Sequence, residues 1–270
     1  MSRISEAFER ARSERRAAFV PYLTAGDPSP TATVAYAREL DRAGADVLEL
    51  GVPFSDPIAD GPVLQRSAAR ALAAGTSLEV VWEIAADIRA KTSLALVLFS
   101  YLNPIVHRGL ARVAREARSA GFDAFLATDL PPEEAAEVHR VFRSASLDTV
   151  FLVSPTSPAP RMRRAAEMTS GFLYVVSRAG TTGARRSLPA DLADTVARAR
   201  RAARSVPIAV GFGISSPETA HAAAAIADGV VVGSALVSRI EKDGNRERLR
   251  RFAASLARAC RRSSVARAAR

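Results

Sequence analysis

The chain has 270 residues, 48% hydrophobic and 24% charged, a composition that buries a full core and excludes a disordered or fibrous protein. No run approaches the roughly 18 consecutive apolar residues that span a bilayer, and Met1–Glu6 lacks an apolar signal core, so a cytoplasmic protein with no membrane role is expected. The formal net charge of +10 does not argue for nucleic acid, because only Lys91 and Lys242 are lysines and the arginines are spread over nearly every helical segment, with no stripe of interleaved aromatics.

The length suits one α/β barrel, which commonly takes about 250 residues. The first segment is amphipathic, and Ile4 and Phe8 are placed to plug one end of such a barrel. Short runs rich in Val, Ile, Leu, Phe and Tyr predict strands at Phe19–Leu23, Val47–Leu50, Ala95–Ser100, Ala124–Thr128, Thr149–Leu152, Phe172–Val176, Ile208–Gly211 and Gly229–Val232. Such continuous apolar runs belong to strands buried on both faces, and their alternation with helices implies right-handed parallel crossovers. The expectation is one (β/α)8 TIM barrel over residues 1–270, with an N-terminal capping helix, extra short helices after strands two and eight, and a disordered basic tail over about 261–270.

Helix signals agree with this order. Ser29-Pro30 supplies an N-cap followed by proline at the first helical position, with Val34, Ala37 and Leu40 at helical spacing and Gly44 as the stop. Pro131-Pro132 is read as opening the helix after strand four, and Ser216-Pro217-Glu218 the one after strand seven. Two connections, Gly51–Pro62 and Ser177–Pro189, exceed the usual length of about 2–6 residues, and both lie at strand C-termini, where barrel enzymes keep their sites.

Strand periodicity puts Leu48 and Leu50 on one face of strand two and Glu49 on the other, toward the barrel mouth. No predicted strand carries a basic residue to offset it, so the Glu49 pKa should rise toward neutrality, as suits a proton shuttle. The other reading is a Glu49 that bonds loop amides or Arg178. The run LELGVPFSDPIADGP brings Asp56 and Asp60 to the same mouth; Asp56 also fits a turn former, and Asp60 divides evenly between turn and catalyst. Asp129 after strand four is best explained as an N-cap for the next helix, while Asp46, Asp123 and Asp228 stand at strand starts, on the barrel's stability face. The turns Gly180–Gly183, Gly211–Ser215 and Gly233-Ser234 follow strands six, seven and eight, where barrels bind phosphate with open backbone amides.

Absent groups narrow the chemistry. A Schiff-base aldolase needs an inner-strand lysine, yet Lys91 and Lys242 fall in helical segments; His139 and His221 are mid-helix and His107 stands alone after Asn103-Pro104, so no metal cluster is expected. Carboxylate acid–base chemistry on a phosphorylated substrate remains.

The motifs Tyr22–Pro28, Leu48–Pro62 and Gly211–Ser215 together resemble tryptophan synthase alpha subunits, with similarity from about residue 2 to 260. The resemblance implies a lyase that splits indole-3-glycerol phosphate into indole and glyceraldehyde 3-phosphate without a cofactor in this chain. It implies Glu49 as principal acid–base and Asp60 as partner of the indole N–H, with Tyr174 positioning Glu49 and Thr182 meeting the Asp60 loop on closure. Gly183, Gly213, Gly233 and Ser234 match phosphate-binding positions, and Tyr22, Phe99, Leu126 and Phe212 the indole pocket. It also implies an α2β2 assembly with a pyridoxal-phosphate beta subunit, met by the loop containing Pro53 and Asp56. Departures from the family are Thr181 for a branched apolar residue, Tyr22 for a common Phe, and the arginine-rich end. The same residues would serve a stand-alone indole-releasing lyase. A non-catalytic paralogue or a sugar-phosphate isomerase on this barrel would have less reason to keep them.

Overall fold

Parallel strands buried on both faces and joined by helices form either an open doubly wound sheet or a closed barrel, and this chain closes. The structure, a computed structural model, describes residues 1–176, 188–211 and 213–262. Helix α1 (Arg3–Ser13) precedes β1 (Ala18–Thr24), α2 (Pro30–Arg42) and β2 (Val47–Gly51). Next come α3 (Pro62–Ala73), α4 (Leu78–Lys91), β3 (Ala95–Ser100), α5 (Leu102–Arg108), α6 (Leu110–Ala120), β4 (Ala124–Ala127) and α7 (Ala136–Ser144). The second half holds β5 (Asp148–Thr149), β6 (Phe151–Val153), α8 (Ala159–Met168), β7 (Leu173–Val176), α9 (Leu192–Ala203), β8 (Ile208–Gly211), α10 (Pro217–Ile226), β9 (Gly229–Val232), α11 (Ser234–Asp243) and α12 (Arg246–Ala259).

All pairings are parallel, in the order β5-β4-β3-β2-β1-β9-β8-β7-β6. The predicted fifth strand is split at Val150, whose N–H still donates to Phe125 O at 2.9 Å; its first part pairs with β4 and its second with β7, closing a (β/α)8 TIM barrel.

Side-chain alternation sorts two cores. Phe19, Leu48, Leu50, Leu96, Leu98, Phe125 and Leu173 face the helices, while Val20, Val47, Val97, Leu126, Val150, Phe172 and Val231 fill the barrel. Ile4 and Phe8 join the inner cluster from α1, as the amphipathic first segment predicts. Phe8 needs Gly229 opposite it, because a Cβ there would come within 2.9 Å of the ring.

At strand starts the carboxylates brace the barrel. Asp46 accepts from Phe19 N at 2.9 Å, Asp123 from Leu96 N at 2.8 Å and Asp228 from Ile208 N at 3.1 Å, each tying one strand's approach to the start of another. Arginines close these ties: Arg16 on Asp46, Arg89 on Asp123, and Arg200 and Arg262 on Asp228.

The helix caps read from the sequence are present at Ser29, whose hydroxyl accepts from Ala32 N, and at Ser216, which forms a capping box with Thr219. Other expectations change. Pro131-Pro132 does not open a helix: residues 132–135 form turns, Glu134 N bonding Pro131 O at 3.0 Å, and α7 starts at Ala136. Extra helices stand after β2 and β9 as expected, but α3 and α11 run to 12 and 10 residues, and a third, α5, follows β3. Pro104 sits in the first turn of α5, where its missing N–H costs nothing. Asp129 is a cap, but of α5 instead of α7: it accepts from Leu102 N at 2.7 Å. Arg261 and Arg262, assigned to the disordered tail, are placed: Arg261 bridges Arg16, and Arg262 bonds the carbonyls of Ala224 and Ala227.

Among the described residues no helix is long and apolar enough to cross a membrane.

Candidate active site

Glu49 stands inside the barrel on β2, beside Tyr22 of β1 and Val97 of β3 in the strand register. It is 1% exposed, and its Oε1 has no hydrogen-bond partner among the described residues. Burial alone pushes its pKa up to about 8, so the side chain is mostly protonated at neutral pH. Tyr174 of β7 and Tyr22 flank it. Burial raises both phenols, and the Glu49 charge acts in the same direction on each.

The connection from β2 to α3 carries the second carboxyl. Asp60 N donates to Pro57 O at 3.0 Å and Ile58 N to Asp56 O at 2.9 Å, so the loop folds as consecutive tight turns with Asp60 facing inward at 7% exposure. Burial raises the Asp60 carboxyl to about 6, with the Tyr101 hydroxyl pulling the other way as a donor. Asp60 therefore ionises below neutrality while Glu49 holds its proton. Asp56, by contrast, is exposed and takes the Ser55 hydroxyl at 2.5 Å, the turn-forming role. Pro53 is buried, so it is Ser55, Asp56 and Ile58 that this loop offers to solvent; Ile58 is 81% exposed.

Tyr22 and Phe99 meet edge to face with centroids 5.1 Å apart, and Leu126 is fully buried in the same inner cluster, giving an apolar wall next to the two carboxyls. The Tyr22 hydroxyl lies over Gly51 and reaches Thr24 Oγ1 at 3.4 Å, which continues to Ser67 of α3 at 2.7 Å. Tyr174 lies over Gly211 in the same manner. Both glycines are thus sites where a side chain would collide with a tyrosine.

Gly213, with φ +82°, follows β8 in a conformation that favours glycine, and Gly233 and Ser234 follow β9 at the start of α11. The first amides of a helix lack internal acceptors and suit an anion. Thr182, Gly183 and Phe212 lie outside the described residues, as do Arg178 and Thr181. His139 bonds Thr149 at 3.0 Å, and the exposed His221 bonds the carbonyl of Ala259 at 3.2 Å. Among the described residues no group of three or more His, Cys, Asp or Glu side chains could hold a metal ion.

Sequence reasoning missed Tyr101 and the arginine partners of the other buried carboxylates. Asp27 is held by Arg70, Asp46 by Arg16, Asp123 by Arg89 and Asp148 by Arg143. Of the buried carboxyl groups described, only Glu49 and Asp60 have no such partner.

Comparison with known proteins gives a consistent result. The family model described as tryptophan synthase alpha chain matches residues 8–265. A tryptophan synthase alpha chain of Citrifermentans bemidjiense is 50% identical over 242 residues, covering 90% of each chain. One of Solibacter usitatus is 49% identical over 243 residues, covering 90% of this chain and 91% of its own. Among solved structures, Mycobacterium tuberculosis tryptophan synthase superposes with a TM-score of 0.90 at 34% identity, over 97% of this chain and 99% of that one. The tryptophan synthase alpha chain of Legionella pneumophila gives 0.87 at 36% identity, over 96% and 97%.

Proposed function

The chain belongs to the tryptophan synthase alpha chain family, and from that premise we propose that Glu49 and Asp60 divide its lyase chemistry between them. The activity is that of the family: cleavage of indole-3-glycerol phosphate to indole and glyceraldehyde 3-phosphate in tryptophan biosynthesis. The observation that carries the division of labour is the pair of buried carboxyls at one mouth that meet no arginine among the described residues, one raised to about 8 and the other to about 6.

At neutral pH Glu49 is the acid and Asp60 the anion, two carboxyls set apart by their surroundings. Glu49 gives its proton to indole C3. Positive charge then develops toward the ring nitrogen, where the Asp60 carboxylate accepts the N–H and stabilises it in a water-poor site. The Glu49 carboxylate next takes the proton of the hydroxyl on the adjoining side-chain carbon. The O–H electron pair becomes the carbonyl bond, the C–C pair returns to the indole ring, and Glu49 ends protonated as it began. Tyr174 orients Glu49, while Tyr22, Phe99, Leu126 and Phe212 hold the indole. Gly183, Gly213, Gly233 and Ser234 hold the phosphate, and Thr182 closes against the Asp60 loop.

No step needs a cofactor in this chain. A beta subunit is the family's partner; we assign to it the pyridoxal phosphate, an α2β2 stoichiometry, and a contact with the exposed Ser55, Asp56 and Ile58 of the β2–α3 loop. We further take residues 1–270 as one barrel domain acting in the cytoplasm. The test is indole release by wild type, Glu49→Gln and Asp60→Asn, each with and without the beta subunit. Glu49→Gln should lose about 100- to 10,000-fold with the barrel intact, and wild-type turnover in that variant would remove the mechanism.

A further inference from the structure

We propose that Tyr101 is a positioning residue for Asp60, its single hydroxyl holding the turn at 57–60 and turning the carboxylate toward the indole N–H. The inference rests on the reading of Asp60 as the partner of that N–H.

Tyr101 directly follows β3 and precedes α5, so it rises from the rim of the barrel beside the loop after β2. It is 4% exposed, and its ring leans on Phe54 with centroids 5.2 Å apart. The hydroxyl accepts from Ala59 N at 3.0 Å. A phenol has one proton to give, and with the Ala59 amide on its oxygen at 3.0 Å that proton is free for the neighbouring Asp60 carboxyl, whose pKa the hydroxyl lowers. Gln65 Nε2 holds the Asp60 carbonyl at 2.9 Å, and Asp60 N holds Pro57 O at 3.0 Å. The backbone on either side of Asp60 is thus fixed, and Tyr101 links the backbone tie to the side chain. Among the described residues no lysine or arginine forms an ion pair with Asp60, so this donor is its stabilising neighbour. The titratable groups around it are Tyr22 from β1 and Tyr101 from the β3 end; Glu49 of β2 acts on Tyr22 and Asp129 after β4 acts on Tyr101.

Tyr101→Phe keeps the ring and removes the hydroxyl. Indole release from indole-3-glycerol phosphate should fall about 10- to 100-fold in kcat/KM, the effect of one hydrogen bond to a charged group. The acid limb of its pH profile should move up, because the carboxylate has lost its donor, while the basic limb stays in place. In an Asp60→Asn background the same substitution should change the rate less than about twofold, since coupled residues do not add. An unmoved acid limb, or an undiminished loss in the Asp60→Asn background, would overturn the proposal and leave Tyr101 a packing residue. If Asp60→Asn alone keeps the wild-type rate, the reading of Asp60 fails first and this one with it, and the single variant shows which. Should Tyr101→Phe melt early, inhibition by a 3-indolylalkyl phosphate and by its N-methylated form separates the cases. Their ratio reports the N–H contact irrespective of the folded fraction, and it should shrink toward one; an unchanged ratio overturns the assignment.

Discussion

A buried carboxyl with no cationic partner among the described residues leaves a mark on stability that can be measured without substrate. Glu49 ionises near 4.5 in the unfolded chain and at about 8 when folded. Between those values the folded state holds a proton that the unfolded state has released, so stability falls as pH rises, and the loss is complete above about 8. At about 1.36 kcal/mol per pH unit, the span from 4.5 to about 8 amounts to on the order of 5 kcal/mol, comparable with the whole stability of a marginal domain.

Glu49→Gln removes that titration. Urea unfolding of both proteins from pH 5 to pH 9 should give a stability difference that shifts progressively in the variant's favour as pH rises, until about pH 8. A buried amide carries its own constant cost, about 1–3 kcal/mol if a hydrogen bond goes unmade, so the slope of the difference is the quantity to read and its offset is not. Asp60 loses stability over a lower range, up to about 6, and does so equally in both proteins. Parallel curves across the whole range would mean that Glu49 is compensated after all, and its protonation at neutral pH would be refuted.

Three further outcomes follow from the same geometry. The pH profile of kcat/KM for the lyase reaction should be bell-shaped, rising as Asp60 ionises near 6 and falling as Glu49 loses its proton near 8; a plateau through pH 9 would contradict the acid role of Glu49. Gly51→Ala would set a Cβ 2.1 Å from the Tyr22 hydroxyl and should cost about 1–3 kcal/mol in urea titration. Adding Tyr22→Leu should make the combined loss smaller than the sum of the two single losses, and strict additivity would show that the added methyl does not meet the ring. Gly213→Ala, at φ +82°, forces a left-handed conformation that costs a side chain about 1–2 kcal/mol, so KM should rise roughly 5- to 30-fold and inorganic phosphate should inhibit more weakly. Unchanged phosphate inhibition would detach this turn from the anion site.

Local rules carried much of this architecture in legible form. Period two decided that Leu48 and Leu50 meet helices and Glu49 meets the barrel interior, because a strand offers only two faces. Ser29 and Ser216 announced their helices because a cap is completed within three residues. What stayed hidden depends on distant partners. Asp129 was recognisable as a cap, but the amide it accepts belongs to Leu102, 27 residues earlier, so the capped helix could not be named. Tyr101 reached no attention because its partners, Ala59 and Asp60, come from another strand's loop. Arg143 and Asp148 are only five residues apart, yet their pairing still depended on α7 ending beside β5.

The two ends of the barrel handle buried charge in opposite ways. At the strand starts Asp46, Asp123 and Asp148 each meet an arginine, and Asp46 and Asp123 also accept a strand amide, so the desolvation of these two is offset locally and the charges organise the barrel's base. Asp27 is treated likewise by Arg70, which also reaches Glu241 and so joins the β1 exit to α3 and α11. At the mouth Glu49 and Asp60 meet no arginine among the described residues, and the cost of their burial has to be carried by the rest of the fold. A guanidinium beside Glu49 would stabilise the protein, yet it would pull the carboxyl back toward its ordinary range and leave no proton to give to a carbon at neutral pH. The arginine abundance of this chain sharpens the point: with so many cations available to pair, the buried carboxyls that meet none among the described residues are the two whose proposed chemistry depends on having none.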